Sequence, residues 1–331
     1  MRILFDYNNL ACRCVHLQQI HNNDDRSWSL MAYMMFTTMY NFLSDISEWL
    51  DIGEKLDVTL ALDSKTGYWR REIYAPYKAD RQKKRRDDGI DWDRAYIEFE
   101  KLATAIQQSI PWHVMRVDKC EADDVIYTLA KNNSEEPVVI HSGDSDYLQL
   151  ISDNVSLFLP HVSEYAEFPR MCKISGGEVL CENPAEYLQY AILTGQGGKD
   201  NVYNVKTPTD WDCNKRKPGF GVKAAQKVLA AKDLQAELTR LGLWDNYMRN
   251  KQLIDMAELP TEYKNRILTQ YTATALPDLS LRNLLGIYDW PSLLACAAEK
   301  EAYLRMWHEG KKEISRDTDI DTNLVTMEFA L

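Results

Sequence analysis

No CxxC pair occurs in this sequence, no apolar run approaches the roughly 20 residues that a membrane-spanning helix needs, and no segment repeats or drops to low complexity. Each absence removes a class of protein. The seven cysteines are odd in number, and the nearest two, Cys12 and Cys14, have the wrong spacing for a zinc knuckle. Reduced, mostly buried thiols in a cytoplasmic protein are therefore expected, rather than a disulfide or zinc framework. The opening run Met1-Arg2-Ile3-Leu4-Phe5-Asp6 places an acid where a signal peptide needs its apolar core, which argues against export. A membrane partner is not expected. Net positive charge is also lacking, since the formal net charge is −11. Taken as a sum, that would speak against a nucleic-acid partner.

What is present points the other way. The 331 residues are 45% hydrophobic and 27% charged, an ordinary globular composition long enough to bury a proper core. The charge is unevenly spread, and distribution matters more than the sum. From Lys65 to Arg86 there are nine basic residues (Lys65, Arg70, Arg71, Lys78, Arg81, Lys83, Lys84, Arg85 and Arg86) against two acids, Glu72 and Asp80. A basic segment on an acidic chain suits a phosphate-binding surface beside a carboxylate metal site.

The first two hundred residues alternate short apolar runs with helical patterns. Strands are expected at Arg2–Tyr7, Leu56–Asp63, Trp112–Val117, Pro137–Ser142 and Val155–Pro160. Their nearly continuous Val, Ile and Leu content fits strands covered on both faces of a parallel sheet. Helices are expected at Trp28–Leu50, Asp91–Ile110, Glu121–Asn133 and Asp144–Ile151. This alternation predicts an α/β fold, with a mostly parallel central sheet flanked by helices. From Asn183 onward helical patterns take over, at Pro184–Leu193, Val222–Ala231, Asp245–Ala257 and Leu293–Trp307. The expected division is an α/β core over 1–182, a helical part over 183–310 and a polar tail over 311–331, with a soft boundary near Gly176.

The chemistry lies where the strands end, which is where open α/β sheets place their ligands. The first expected strand runs into Asp6 and the second ends at Asp63. The third leads into Asp118-Lys119-Cys120-Glu121-Ala122-Asp123-Asp124, and the fourth into Gly143-Asp144-Ser145-Asp146. One acid after a strand is unremarkable, because Asp caps helices well; Asp144 alone could be a cap, and Asp118 a turn residue. Four strands delivering acids to one edge would repel one another by kilocalories without a cation between them. Hard oxygen donors of this kind select Mg²⁺ or Mn²⁺ over zinc. Glu-x-Asp and Asp-x-Asp spacings could supply two ions about 4 Å apart, the arrangement that serves both oxygens of a phosphodiester displacement. Directly after Asp63 comes Gly67-Tyr68-Trp69-Arg70-Arg71, then Tyr77-Lys78-Ala79-Asp80-Arg81. Aromatics interleaved with cations suit a surface that tracks a nucleic-acid backbone and stacks a terminal base.

Together these residues resemble the 5′-nuclease (flap endonuclease) family, in its bacteriophage, T-even-type ribonuclease H branch. The resemblance rests on Leu4-Phe5-Asp6, Ala61-Leu62-Asp63 with the aromatic-basic run, Tyr77-Lys78 through Arg81, Glu121-Ala122-Asp123-Asp124, Ser142 through Asp146, and Lys199-Asp200-Asn201-Val202, and covers roughly the first 230 of the 331 residues. It implies a PIN-like core. It also implies a first metal site of Asp6, Asp63, Glu121 and Asp123, and a second of Asp144, Asp146 and Asp200. Asp124 joins the metal-site acids by steering water from outside the ligand sphere. By the same resemblance, Lys78 and Arg81 stabilise the scissile phosphate, and Arg70, Arg71, Lys83, Lys84, Arg85 and Arg86 contact nucleic acid. A segment near 78–100 corresponds to an arch that a 5′ single strand threads. The run from Lys215 and Arg216 through Lys217, Gly219, Gly221 and Lys223 is similar to a helix–turn–helix element gripping duplex phosphates. The implied activity is two-Mg²⁺ hydrolysis, with Mn²⁺ as a substitute. It comprises 5′ to 3′ exonuclease, 5′-flap endonuclease and RNA–DNA hybrid cleavage, in primer removal during phage replication. Implied partners are DNA and RNA–DNA hybrids with 5′ ends or flaps, a sliding clamp and a single-strand binding protein, with the enzyme itself a monomer. One departure stands out. The family's Gly-Asp-x-x-Asp-Asn reads Gly195-Gln196-Gly197-Gly198-Lys199-Asp200-Asn201 here, one residue longer and without its first aspartate. Two rival readings follow: a branch-binding protein without catalysis, and a small PIN-like ribonuclease.

Overall fold

The computed structural model describes residues 1–17, 25–80, 89–132, 135–175, 177–209, 211, 218–288 and 290–311. Arg81, the basic stretch 82–88, Lys215, Arg216, Lys217 and nearly all of the expected tail lie outside the described residues.

Six strands form the main sheet in the order β3-β2-β1-β4-β5-β6. They are β1 (Arg2–Asp6), β2 (Asp57–Ala61), β3 (His113–Met115), β4 (Val138–His141), β5 (Val155–Leu159) and β6 (Glu164–Tyr165). The first five are parallel, and only β6 runs antiparallel, against β5. Each parallel strand is bounded within two residues of its expected place, because a strand covered on both faces has almost no polar residue until it leaves the sheet. Along β1, Leu4 joins the apolar cluster on one face, while Ile3 and Phe5 join the cluster on the other. All five residues of β1 are buried.

The chain lays down β1, β2 and β3 outward to one side, then returns to set β4 and β5 on the other side of β1. The order therefore reverses between β1 and β4. Such a reversal leaves a crevice beyond the carboxyl ends of the strands, because the crossovers depart on opposite faces. Register sharpens this: Phe5 is level with His141, so Asp6 and Ser142 emerge side by side into the crevice.

Helices Asp25–Ser47 and Trp92–Ser109 cover one face. The second is fixed at its start by Asp91, whose carboxylate accepts from the Arg94 amide at 3.0 Å. On the other face lies helix Ala122–Asn132, with Val125, Ile126 and Leu129 fully buried. Burying each such side chain favours folding by roughly 1.5–3 kcal/mol. Beyond residue 183 the described elements are helical. Helix Pro184–Thr194 is capped by Asn183 and carries Pro184 in its first turn. Residues from Tyr187 to Ile267 pack on the face of Ala122–Asn132, whereas Leu281 to Trp307 return to the opposite face.

Several local features differ from expectation. Helix Tyr7–Leu17 follows β1 with no break. Strands β7 (Arg170–Ile174) and β8 (Gly177–Cys181) form an antiparallel hairpin around the soft boundary near Gly176. The segment after Asp144 is a 3₁₀ helix, Ser145–Leu150. The helix expected at Leu293–Trp307 divides at Cys296 into Pro291–Ala295 and Ala297–Glu309. The six described cysteines are free thiols. No helix among the described residues is long and apolar enough to cross a membrane.

Candidate active site

Asp6 closes β1 and is only 5% exposed. Its carboxylate accepts from the Asn9 amide at 3.1 Å and from the Ser142 hydroxyl at 2.9 Å, so one oxygen is tied to the following helix and the other to the end of β4. Asp63 stands two residues past β2 and accepts from the Ala122 amide at 3.0 Å, satisfying a donor at the start of helix Ala122–Asn132. Asp123, in that helix's first turn, accepts from the Tyr147 hydroxyl at 2.8 Å. Asp144 caps the 3₁₀ helix through the Asp146 amide at 3.0 Å. The capping and site-facing roles thus coincide in one residue.

The acids are close enough to burden one another. Burial, followed by the charges of Asp123, Asp144 and Asp63, pushes Asp6 up to about 8. Burial and then Asp144 push Asp146 up to about 7, although Lys199 opposes the shift. Carboxylates buried together in this way call for a cation, and their hard oxygens suit a divalent one. As the side chains stand, no three acidic, His or Cys groups among the described residues are gathered tightly enough to hold an ion. Two lysine ammoniums stand among the acids.

Lys78 is one of them. It is 6% exposed, contacts Glu121 Oε1, and lies 4.0 Å from Asp200 Oδ1. Its backbone has φ 56°, and its amide donates to the Asp200 carbonyl at 2.9 Å. This contact locks the basic segment to the loop carrying Asp200. Lys199 is the second. Its Nζ lies 2.7 Å from Asp146 Oδ2 and contacts both oxygens of Asp144.

The loop bearing Gln196, Lys199 and Asp200 is closed by the Gln196 amide on the Val202 carbonyl at 2.6 Å. It begins at Gly195, with φ 68°, where a Cβ would lie 2.4 Å from the Val202 carbonyl oxygen. Only glycine fits there. The Gln196 side-chain amide donates to Asp146 Oδ1 at 2.6 Å.

Two expected residues sit elsewhere than foreseen. Arg70 does not face nucleic acid: it is 2% exposed, with Nη1 on Glu121 at 2.8 Å, Nη2 against Asp124 at 2.9 Å and Nε on the Leu253 carbonyl at 3.1 Å. Asp124 is fully buried and turned the same way, accepting from Trp69 Nε1 at 3.0 Å and the Glu121 amide at 2.9 Å. It therefore braces Arg70 and Glu121 from behind, with its described partners drawn from the protein rather than from water around an ion. Residues Arg70 and Arg71 occupy adjacent positions on one helical turn, about 100° apart, so burying one exposes the other.

Arg71 is exposed, with its guanidinium 5.4 Å from the Tyr68 ring centre. Together with Tyr68, Lys78, Trp92 and Tyr96 it lines a cleft of about 980 Å³ that reaches Asp63. Gly219 and Gly221 precede helix Val222–Leu229, and Lys223 is exposed in its first turn. His141 is 2% exposed among Phe5, Phe42 and Phe158, and burial lowers it to about 4, while the His113 ring lies 4.3 Å from that of Tyr271, tilted by 32°.

Sequence reasoning missed Ser142, Tyr147 and the roles of Gln196 and Lys199. For Ser142 the register with Asp6 is the only signal, and it needs the sheet. Lys199 could have been found, because a lysine one position before a site aspartate is placed to reach the same acids.

With this geometry in place, comparison with known proteins gives a consistent result. A family model described as 5′-3′ exonuclease, N-terminal resolvase-like domain, matches residues 2–173. The ribonuclease H of Enterobacteria phage T4 is 28% identical over 228 residues, covering 66% of this chain and 71% of that protein. The DNA polymerase I of Mycobacterium bovis is 27% identical over 232 residues, of which this chain spans only 22% of the polymerase's length. Among solved structures, the bacteriophage T5 flap endonuclease in a complex with DNA and metal ions has a TM-score of 0.55 at 16% identity. That match covers 87% of this chain and 99% of the other, a likeness of fold.

Proposed function

The chain belongs to the 5′-3′ exonuclease family and is a nuclease, and on that premise we propose a divalent-ion-dependent phosphodiesterase that cuts near 5′ ends and at 5′-flap junctions, including RNA–DNA hybrids. One observation carries the reading. Acids from β1, from the segment after β2, from helix Ala122–Asn132, from the turn after β4 and from the loop 195–202 meet in the crevice where strand order reverses, beside a basic, aromatic cleft.

Asp6, Asp63, Glu121 and Asp123 would surround a first Mg²⁺, with Asp144, Asp146 and Asp200 around a second; Mn²⁺ would serve in place of either. Bound ions lower the pKa of a water and offset charge on the phosphoryl oxygens. The chain's own residues do the rest. Lys78, held at the crevice by Asp200, faces the scissile phosphate with Arg81. Tyr68, Trp92 and Tyr96 offer faces for bases of the 5′ strand, and Arg71, Lys83, Lys84, Arg85 and Arg86 track its phosphates. Gly219, Gly221, Lys223, Lys215 and Lys217 hold the duplex behind the cut. Primer removal in phage replication, in the host cytoplasm, beside a sliding clamp and a single-strand binding protein, is the setting we infer for a monomer of this kind.

The test is substrate choice. Incubated with Mg²⁺, the protein is expected to cut a 5′-flap duplex and a 5′-ended RNA–DNA hybrid while sparing single-stranded RNA. Preferential cutting of single-stranded RNA would instead identify a PIN-like ribonuclease.

The position of Gln196 gives a further prediction. Gln196→Asp adds an acid beside Asp146 and should lower the Mg²⁺ concentration for half-maximal cleavage roughly tenfold, as changes next to a metal's ligands commonly do. An unchanged Mg²⁺ titration would show that the amide is no handicap. A second reading is favoured by Lys199 between Asp144 and Asp146. It is a protein that binds branches and cuts weakly or not at all, recognisable by tight, metal-independent flap binding without product.

A further inference from the structure

All four carboxylate oxygens of Asp144 and Asp146 already have donors. Asp144 Oδ1 accepts from the Asp146 amide and from Lys199, and Asp144 Oδ2 accepts from Lys199. Asp146 Oδ1 accepts from Gln196 Nε2, and Asp146 Oδ2 accepts from Lys199. An ammonium sits roughly 2.7–2.9 Å from its carboxylate oxygens, whereas Mg²⁺ needs them at about 2.0–2.1 Å. The two cations need the same oxygens at incompatible distances, and each repels the other.

Lys199 is also delivered there by its backbone. The loop that carries it is pinned at Gly195, by the Gln196–Val202 bridge, and by the Lys78 amide on the Asp200 carbonyl. Its side chain is 38% exposed, so the stem can swing toward solvent without unpacking the core. A lysine offers a point charge on a flexible stem, which suits a displaceable contact better than the rigid fork of arginine would.

We propose that Lys199 is a built-in competitor for the second divalent ion, a tethered cation that neutralises Asp144 and Asp146 until the ion displaces its ammonium. The inference rests on the two-ion reading above and assigns to this chain a residue that sets how readily the second ion loads. Lys199 bonds to Asp144 and Asp146, whereas among the first ion's acids its charge reaches Asp123 only through space. Removing the lysine should therefore change the second affinity much more than the first.

The experiment is Mn²⁺ binding to the full chain without nucleic acid, followed by electron paramagnetic resonance and calorimetry, for wild type, Lys199→Met, Lys199→Gln and Lys199→Arg. Wild type should take one ion well and a second weakly. Lys199→Met should bind the second roughly tenfold or more tightly, with first-site affinity changed far less. Lys199→Gln should move in the same direction and stands in if the methionine variant does not fold, while Lys199→Arg should stay weak. A second-site affinity that is unchanged or reduced in the uncharged variants would overturn the proposal while leaving the nuclease reading intact, as would two equally tight sites in the wild type. Folded proteins that bind no Mn²⁺ at all would overturn both.

Discussion

Asp6→Asn should fold at least as stably as the natural protein and cut at least roughly a thousandfold more slowly, which at 1.4 kcal/mol per decade is about 4 kcal/mol of transition-state stabilisation. Both halves follow from the same burial. Asp6 lies among Asp123, Asp144 and Asp63, and its proton is held up to about 8, so in metal-free buffer its charge works against the fold. A carboxyl whose folded pKa exceeds its unfolded value of 3.8 makes the folded state lose stability as pH rises from near 3.8 to near 8. Asparagine is neutral throughout. It keeps an oxygen for the Asn9 amide, and its amide nitrogen can donate to the Ser142 hydroxyl oxygen, so the variant's advantage should grow across that window and level off above it. Thermal melts in EDTA over a pH series, beside cleavage rates in Mg²⁺, check the two halves together. A variant that melts early would show that Asp6 is structural.

Arg70→Met should have the opposite profile, losing about 3–5 kcal/mol of stability because two buried acids lose their shared partner. The guanidinium spans Glu121 and Asp124 and lies 4.6 Å from the Trp69 ring centre, with all three groups almost wholly enclosed. Methionine refills the volume without the charge. Acidification should recover part of the loss, since protonating Glu121 or Asp124 removes the uncompensated charge. Arg70→Lys should fall between the two, as lysine keeps the charge without the two-pronged geometry. Denaturant melts supply the measurement, and an Arg70→Met protein as stable as the natural one would contradict the buried-bridge account. Activity should fall with stability, because Glu121 also holds Lys78.

The parallel strands and the acids after them were legible for one reason. A strand buried on both faces reads as an unbroken apolar run, and the first acid marks where it leaves the sheet. Asp6 and Asp63 needed nothing further. The hairpin β7–β8 was not legible, since Met171 and Leu180 point outward at 58% and 50% exposure, which blurs the alternation. Arg70 and Arg71 look alike in sequence, and only the packing of Trp69 and Leu253 sends one inward. Gln196 and Lys199 could be seen as a departure in the motif, but not as donors to Asp146, because that contact joins residues 50 and 53 positions apart.

The most direct test of the central claim is cleavage of a 5′-labelled flap duplex by the pure protein in Mg²⁺, in EDTA, and in EDTA followed by excess Mg²⁺. Cutting near the junction with Mg²⁺, none in EDTA and recovery on adding the ion back is the result the carboxylate site predicts. Cutting that persists in EDTA would contradict it, and tight flap binding with no product under any divalent ion would show a protein that holds branches without cleaving them.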